Sequence, residues 1–169
     1  MISTFTPKLP DKSYSKPILI SGIESLQFSI EEFLLVQQNG DETIFEIRYD
    51  CHCSPFKEAI LLNKLLIVGH EEYFYMFDMS RNLNILRLKT PGYFGHIYFD
   101  TEHFYVAGSS SLYCVNQNGE VVWQNLNLAI DGVIINDFTD NKIFGSGEWD
   151  PPGGWRDFVL EKRSGLRIQ

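Results

Sequence analysis

The stretch Gly145–Trp155, GSGEWDPPGGW, sets Glu148 and Asp150 beside Trp149 and Trp155 around a Pro-Pro-Gly-Gly core. Prolines stiffen the chain and glycines permit a sharp reversal, so such a loop presents its indoles at little entropic cost. Tryptophan is a favoured anchor at protein interfaces. The same indoles, folded inward with their N–H groups bonded locally, would simply cap a core. Other residues able to do chemistry are His70, Glu71 and Glu72 in GHEE, His96 in PGYFGH, Asp131 before Gly132, and Arg156 after the second tryptophan. Imidazole with carboxylate suits zinc or manganese better than calcium. These residues follow no fixed-spacing metal motif, and no metal is expected. Cys51-His52-Cys53 lacks a second pair at ligand spacing, while Cys114 sits in an apolar run and reads as core.

Signatures of catalysis are absent from the sequence. It contains no Gly-x-Ser-x-Gly elbow, no phosphate-binding glycine loop before Lys-Ser/Thr, and no His-Glu-x-x-His. Two carboxylates suffice for glycoside hydrolysis, and Glu148 with Asp131 or Asp150 would supply them, but their spacing selects no acid–base pair.

The elements that must position these residues repeat. Three segments align, beginning at Ala59, His96 and Val133. Each has an apolar run, a polar turn, a second apolar run reaching a glycine (Gly69, Gly108, and Gly145 or Gly147), and a third run ending at Asp78, Asn116 or Glu161. Runs such as LLIVG and FYVAG have strand length and are too short for helices. Asn118-Gly119 and Ser164-Gly165 supply tight turns. The unit is a four-strand, up-and-down antiparallel sheet. The segment His103–Trp123 resembles a blade of the pyrroloquinoline-quinone-type β-propeller repeat, with Gly108, Asn116, Gly119 and Trp123 at the pattern's positions. The first copy lacks the turn glycine and the tryptophan, and the third keeps Gly165 without a following tryptophan. Quinone enzymes of that family are exported proteins with more blades around an axial cofactor. The resemblance therefore implies a blade-like fold only, and no cofactor is expected.

The expected fold is all-β and propeller-like. An extended segment 1–17 precedes a single repeat domain 18–169, divided into a degenerate blade 18–58 and clear blades 59–94, 95–132 and 133–169. A β-sandwich is the alternative. In the degenerate blade, Glu32–Asp50 reads as a hairpin turning near Asn39-Gly40. Upstream, Leu26, Phe28 and Ile30 alternate as a strand, although Ser21–Glu24 also fits a capping box with apolar residues at helical spacing. Strand is the favoured expectation there.

In an up-and-down blade, second-to-third-strand loops share a face with the connections between blades. That face would collect His70, Glu71, Glu72, His96, Asp131, Glu148, Trp149, Asp150, Trp155 and Arg156, whereas the opposite face receives ordinary turns. Net charge is −8, from 14 basic and 22 acidic residues. Such a field argues against nucleic acid and anionic membranes, aids solubility and would attract a basic protein. The N-terminus lacks the cationic start and apolar run of a secretory signal, and no stretch has membrane-helix length. Three cysteines suit a reducing compartment, so a cytoplasmic protein is expected. The expected function is non-catalytic protein binding through the Trp/acid face, for instance by an acidic immunity or inhibitor protein. The alternative is a small carbohydrate- or ligand-processing enzyme using loop carboxylates. Open sheet edges make a homodimer a further expectation.

Overall fold

The computed structural model describes residues 2–9, 16–38 and 40–169. The fold is all-β, as expected, and is built from four small sheets. Among the described residues, fifteen strands run in chain order: β1 (Ile2–Thr6), β2 (Ile18–Leu19), β3 (Ile30–Gln38), β4 (Asp41–Tyr49), β5 (Lys57–Leu62), β6 (Leu65–His70), β7 (Tyr73–Asp78), β8 (Leu83–Lys89), β9 (Phe94–Phe99), β10 (His103–Gly108), β11 (Leu112–Asn116), β12 (Val121–Asn125), β13 (Val133–Phe138), β14 (Lys142–Glu148) and β15 (Trp155–Glu161). Three sheets are meanders in sequence order: β5-β6-β7-β8, β9-β10-β11-β12 and β13-β14-β15. The first sheet has the order β1-β3-β4-β2, and its short β2 lies parallel to β4. No helix among the described residues is long and apolar enough to cross a membrane.

Two compact units divide the chain. One comprises Met1–His52, Ala59–Val68 and Tyr75–Arg87; the other comprises Cys53–Glu58, Gly69–Phe74 and Leu88–Gln169. In the first unit, β3 and β4 pair from Ile30↔Tyr49 to Gln38↔Asp41, which leaves a two-residue connection. Gly40 takes φ 91° there, and Asn39 lies outside the described residues. Leu34, Phe45 and Ile47 are fully buried, and the Phe45 and Phe77 rings meet edge to face at 5.2 Å. Burial of each such side chain is worth roughly 2–3 kcal/mol.

Upstream of β3 the structure corrects the expected strand. Residues Ile23–Gln27 form a 3-10 helix, and Ile23 and Leu26 are exposed. Its N-cap is Gly22 with no side-chain cap, so the capping box does not form either. The cause is local hydroxyl bonding, which competes with a ladder. Ser25 Oγ donates to Gly22 O at 2.7 Å and lies 2.6 Å from Ser21 Oγ, which also accepts the Arg48 N–H at 3.0 Å.

The second unit shows why the repeat needs its marked residues. The β11–β12 turn closes on Asn116, whose Oδ1 accepts the N–H groups of Asn118 and Glu120 at 3.0 Å each. Trp123, at the end of that repeat, packs on the next one. Its Nε1 donates to Lys162 O at 2.9 Å, and a Cβ on Gly165 would lie 2.3 Å from its ring. The recurring strand-end glycines are sites of close approach. A Cβ on Gly69 would fall 2.0 Å from Phe94 Cζ, and one on Gly147 would fall 2.0 Å from Leu128 O. The last repeat has three full strands, and its expected fourth is reduced to a bridge between Leu160 and Arg167. In the first unit, the turn without a glycine is built by Asp78 Oδ1, which accepts the Ser80 and Arg81 N–H groups, and by Asn82 at φ 51°. Asparagine tolerates that left-handed conformation.

Candidate functional site

Within the second unit, five segments converge at one end of the sheets. They are Cys53–Phe56, the β8–β9 connection, the β10–β11 loop Ser109–Ser111, the β12–β13 connection and the β14–β15 loop. Backbone bonds lock four of them together. Gly132 N–H donates to Ser109 O at 2.5 Å, Ser109 N–H to Tyr93 O at 3.1 Å, Leu128 N–H to Ser110 O at 3.0 Å and Glu148 N–H to Gly132 O at 2.9 Å. Sites held by such ladders keep their side chains pre-organised.

These segments enclose an open cavity of about 230 Å³ walled by Phe56, Tyr93, His96, Asp131, Glu148 and Trp155. Gly132, at φ 136°, forms part of its lining. A Cβ there would sit 3.3 Å from Trp155 Cη2, 3.7 Å from Tyr93 Oη and 4.0 Å from Glu148 Oε2. The glycine therefore keeps open the space on which indole, phenol and carboxylate converge. The Tyr93 hydroxyl and the Asp131 carboxylate are neighbours in this lining. Burial first, then the adjacent Asp131 carboxylate and the Glu148 charge, push the phenol up to about 12. Glu148 Oε1 accepts the Gly153 N–H, so the glycine pair orients this carboxylate from within the loop. The loop closes on itself through Trp149 N–H to Gly154 O at 3.0 Å and Gly154 N–H to Asp150 O at 2.9 Å, with a cis Pro151-Pro152 bond at its tip. His96 is held from behind: its Nδ1 lies 2.7 Å from Glu58 Oε1, and Glu58 Oε2 accepts the Ile97 N–H at 2.8 Å. The Phe56 ring lies 4.8 Å from the imidazole and 6.3 Å from Tyr93.

Of the residues singled out from sequence, His96, Asp131, Glu148 and Trp155 meet in this cavity. Trp155 is 44% exposed. Trp149, Asp150 and Arg156 do not line it; they stand on the neighbouring surface, where the guanidinium of Arg156, in β15, lies 5.8 Å from the Trp149 ring. His70 and Glu71 depart from the expected exposed face, because both are fully buried. Glu71 Oε2 accepts the Cys53 and Ser54 N–H groups at 2.6 and 3.0 Å, so its carboxylate anchors a backbone segment. Glu72 pairs with Lys89 at 2.9 Å. Among the described residues no three His, Cys, Asp or Glu side chains are placed to hold a metal ion. None of the three cysteines is in a disulfide; Cys51 is exposed and Cys114 buried.

Phe56, Tyr93 and Glu58 are components that sequence reasoning missed. Tyr93 stands three residues before His96 in a connection already assigned to this face, and its neighbourhood was the available signal. Nothing local marks Phe56 or Glu58, which reach the site by tertiary packing.

The opposite end of the same unit is less plain than its turn sequences promise. It holds a wider depression of about 580 Å³, lined by Glu102, His103, Asp140, Lys142, Glu161, Lys162 and Arg163 among others. Charges of both signs alternate there, and Lys162 is already taken by Asp100 at 2.8 Å. That arrangement neutralises itself, whereas the aromatic cavity carries carboxylates and no lysine or arginine in its lining. The chain matches no protein-family model and no curated protein sequence.

Proposed function

We propose that this protein is a non-catalytic binding module that recognises a basic protein through the aromatic-acidic cavity and the adjoining Trp149–Arg156 loop. The observation that carries the reading is the convergence of Trp155, Tyr93 and Phe56 with two carboxylates in an open cavity. Exposed aromatic anchors in a pre-organised setting are what protein interfaces use. At about 230 Å³ the cavity is smaller than the roughly 300–1,000 Å³ typical of small-molecule sites. Net charge of −8 speeds encounter with a cationic partner. An acidic immunity or inhibitor protein capping a basic toxin or enzyme in the cytoplasm is the specific form of this reading. The likeness to pyrroloquinoline-quinone-type blades enters it as fold only, with no quinone; a homodimer that covers open sheet edges belongs to the same proposal.

One arrangement favours the second reading, a small carbohydrate- or ligand-processing enzyme. The Glu58–His96 pair stands beside Asp131 and Glu148, and a carboxylate-held imidazole is a familiar proton carrier. Capture from the native cell separates the two. The wild-type chain should retain a basic protein that a Trp149→Ala/Trp155→Ala variant, folded by circular dichroism, loses, and the purified pair should bind directly. Equal capture by both chains refutes the proposed face.

A further inference from the structure

The cavity's dimensions and chemistry go further than a general protein interface, and the inference they carry rests on the binding-module reading. We propose that the cavity receives one arginine side chain of the partner, with its guanidinium against Trp155 and Tyr93 and hydrogen-bonded to Asp131 and Glu148. Two observations select a cation, and a third its size. The lining has two carboxylates and no basic side chain except the imidazole, which is already held by Glu58. Three aromatic rings line the same space, and ring faces attract cations, most of all when water is excluded. The volume fits a side chain rather than a folded segment.

Two further features select arginine over lysine. Glu148 Oε1 spends one acceptor on the Gly153 N–H, and the Asp131 carboxylate neighbours the Tyr93 hydroxyl. A carboxylate offers about four lone-pair directions, so both keep acceptors for an incoming donor. Glu148 Oε2 is the oxygen on the Gly132 side, near Trp155 Cη2. A planar group with five donors can stack on a ring and reach two separate carboxylates at once, which a strongly hydrated point ammonium cannot do. Gly132 supplies the remaining requirement, since a Cβ there would lie 3.3 Å from Trp155 Cη2 and 3.7 Å from Tyr93 Oη and would narrow the space between them.

The test titrates the whole chain with N-acetyl-arginine amide, its neutral isostere N-acetyl-citrulline amide, and N-acetyl-lysine amide. Signals of the Trp155 indole N–H and of the Gly132 and Gly153 amides are followed by NMR. The arginine probe should give saturable shifts at these signals with a Kd on the order of 1 mM, suitable for a lone anchor residue. Citrulline should bind about tenfold or more weakly, as should arginine to Asp131→Asn and Glu148→Gln, since charge-assisted bonds are lost. Lysine should be intermediate. Citrulline equal to arginine, undiminished binding by both isosteric variants, or arginine shifts gathered instead at Glu102, Asp140 and Glu161 would each overturn the proposal. Loss of partner capture on tryptophan replacement, together with silence of the arginine probe, would leave the binding-module reading standing and sink this inference alone.

Discussion

Replacing Asp100 by asparagine should cost stability in a way that depends on pH. Asp100 is only 6% exposed, and its carboxylate is surrounded by donors. Oδ1 accepts the His103 and Glu102 N–H groups at 2.8 and 3.1 Å, while Oδ2 accepts the Tyr105 hydroxyl and faces the Lys162 ammonium, each at 2.8 Å. Burial alone would raise its pKa, but the ammonium and the three hydrogen bonds outweigh burial and bring it from 3.8 to about 2. At about 1.4 kcal/mol per unit, the preference for the charged form contributes on the order of 2 kcal/mol near neutrality. Since the folded pKa lies below the unfolded one, this contribution is full above pH 4 and disappears as pH falls toward 2. An asparagine side chain at this position mimics the protonated acid and turns a donor toward Tyr105 and Lys162, so the Asp100→Asn variant should be about 2 kcal/mol less stable at pH 7. The gap should close between pH 4 and pH 2. Urea denaturation suits the measurement, in a Trp149→Phe/Trp155→Phe background where Trp123, buried in the same unit, is the sole indole. A gap that stays constant from pH 7 to pH 2, or one below about 0.5 kcal/mol at pH 7, would refute this account of the network.

Gly69→Ala should destabilise by about 3 kcal/mol in denaturant titration, because its Cβ would overlap the fully buried Phe94 ring. Glu71→Ala should cost about 3 kcal/mol by the same assay, leaving the Cys53 and Ser54 N–H groups without their carboxylate, whereas Glu71→Gln should recover more than half of that loss. Burial, reinforced by the Asp100 charge, pushes the Cys114 thiol up to about 12 against the opposing effects of Tyr105 and Lys162. Iodoacetamide at pH 8 should therefore modify exposed Cys51 in the native protein and reach Cys114 only on unfolding, as peptide mapping would show. Trp155→Ala should cost about 1–2 kcal/mol in denaturant titration, since the side chain is 44% exposed and only its buried part is lost from the cavity wall.

Strands and turns were legible because their causes are local. Short apolar runs leading into Asn118-Gly119 or Ser164-Gly165 have few alternatives, and the 39-residue recurrence from Gly69 to Gly108 marks equivalent strand ends. The N-terminal helix escaped for an equally local reason. Apolar Ile23 and Leu26 look like core in any periodicity, yet they point to solvent while Ser21 and Ser25 go inside and bond to each other. Part of the site was legible through topology. Once alternate loops are assigned to one face, His96, Asp131, Glu148 and Trp155 must lie near one another. What topology does not fix is depth. Glu71 stands in a loop with φ 52° and turns its carboxylate inward to the backbone of Cys53 and Ser54, which no pattern around it announces. Phe56, Glu58 and Tyr93 join the site through packing of distant segments, and the mixed-charge depression at the other end arises from turns that look unremarkable one by one.

Hydrogen exchange of the chain, free and bound to the basic protein it captures, reads out which face the partner covers. Protection on binding should concentrate in residues 91–96, 129–132 and 148–156. Protection confined instead to residues 100–103, 140–142 and 161–163, around the opposite depression, would contradict binding through the aromatic-acidic cavity.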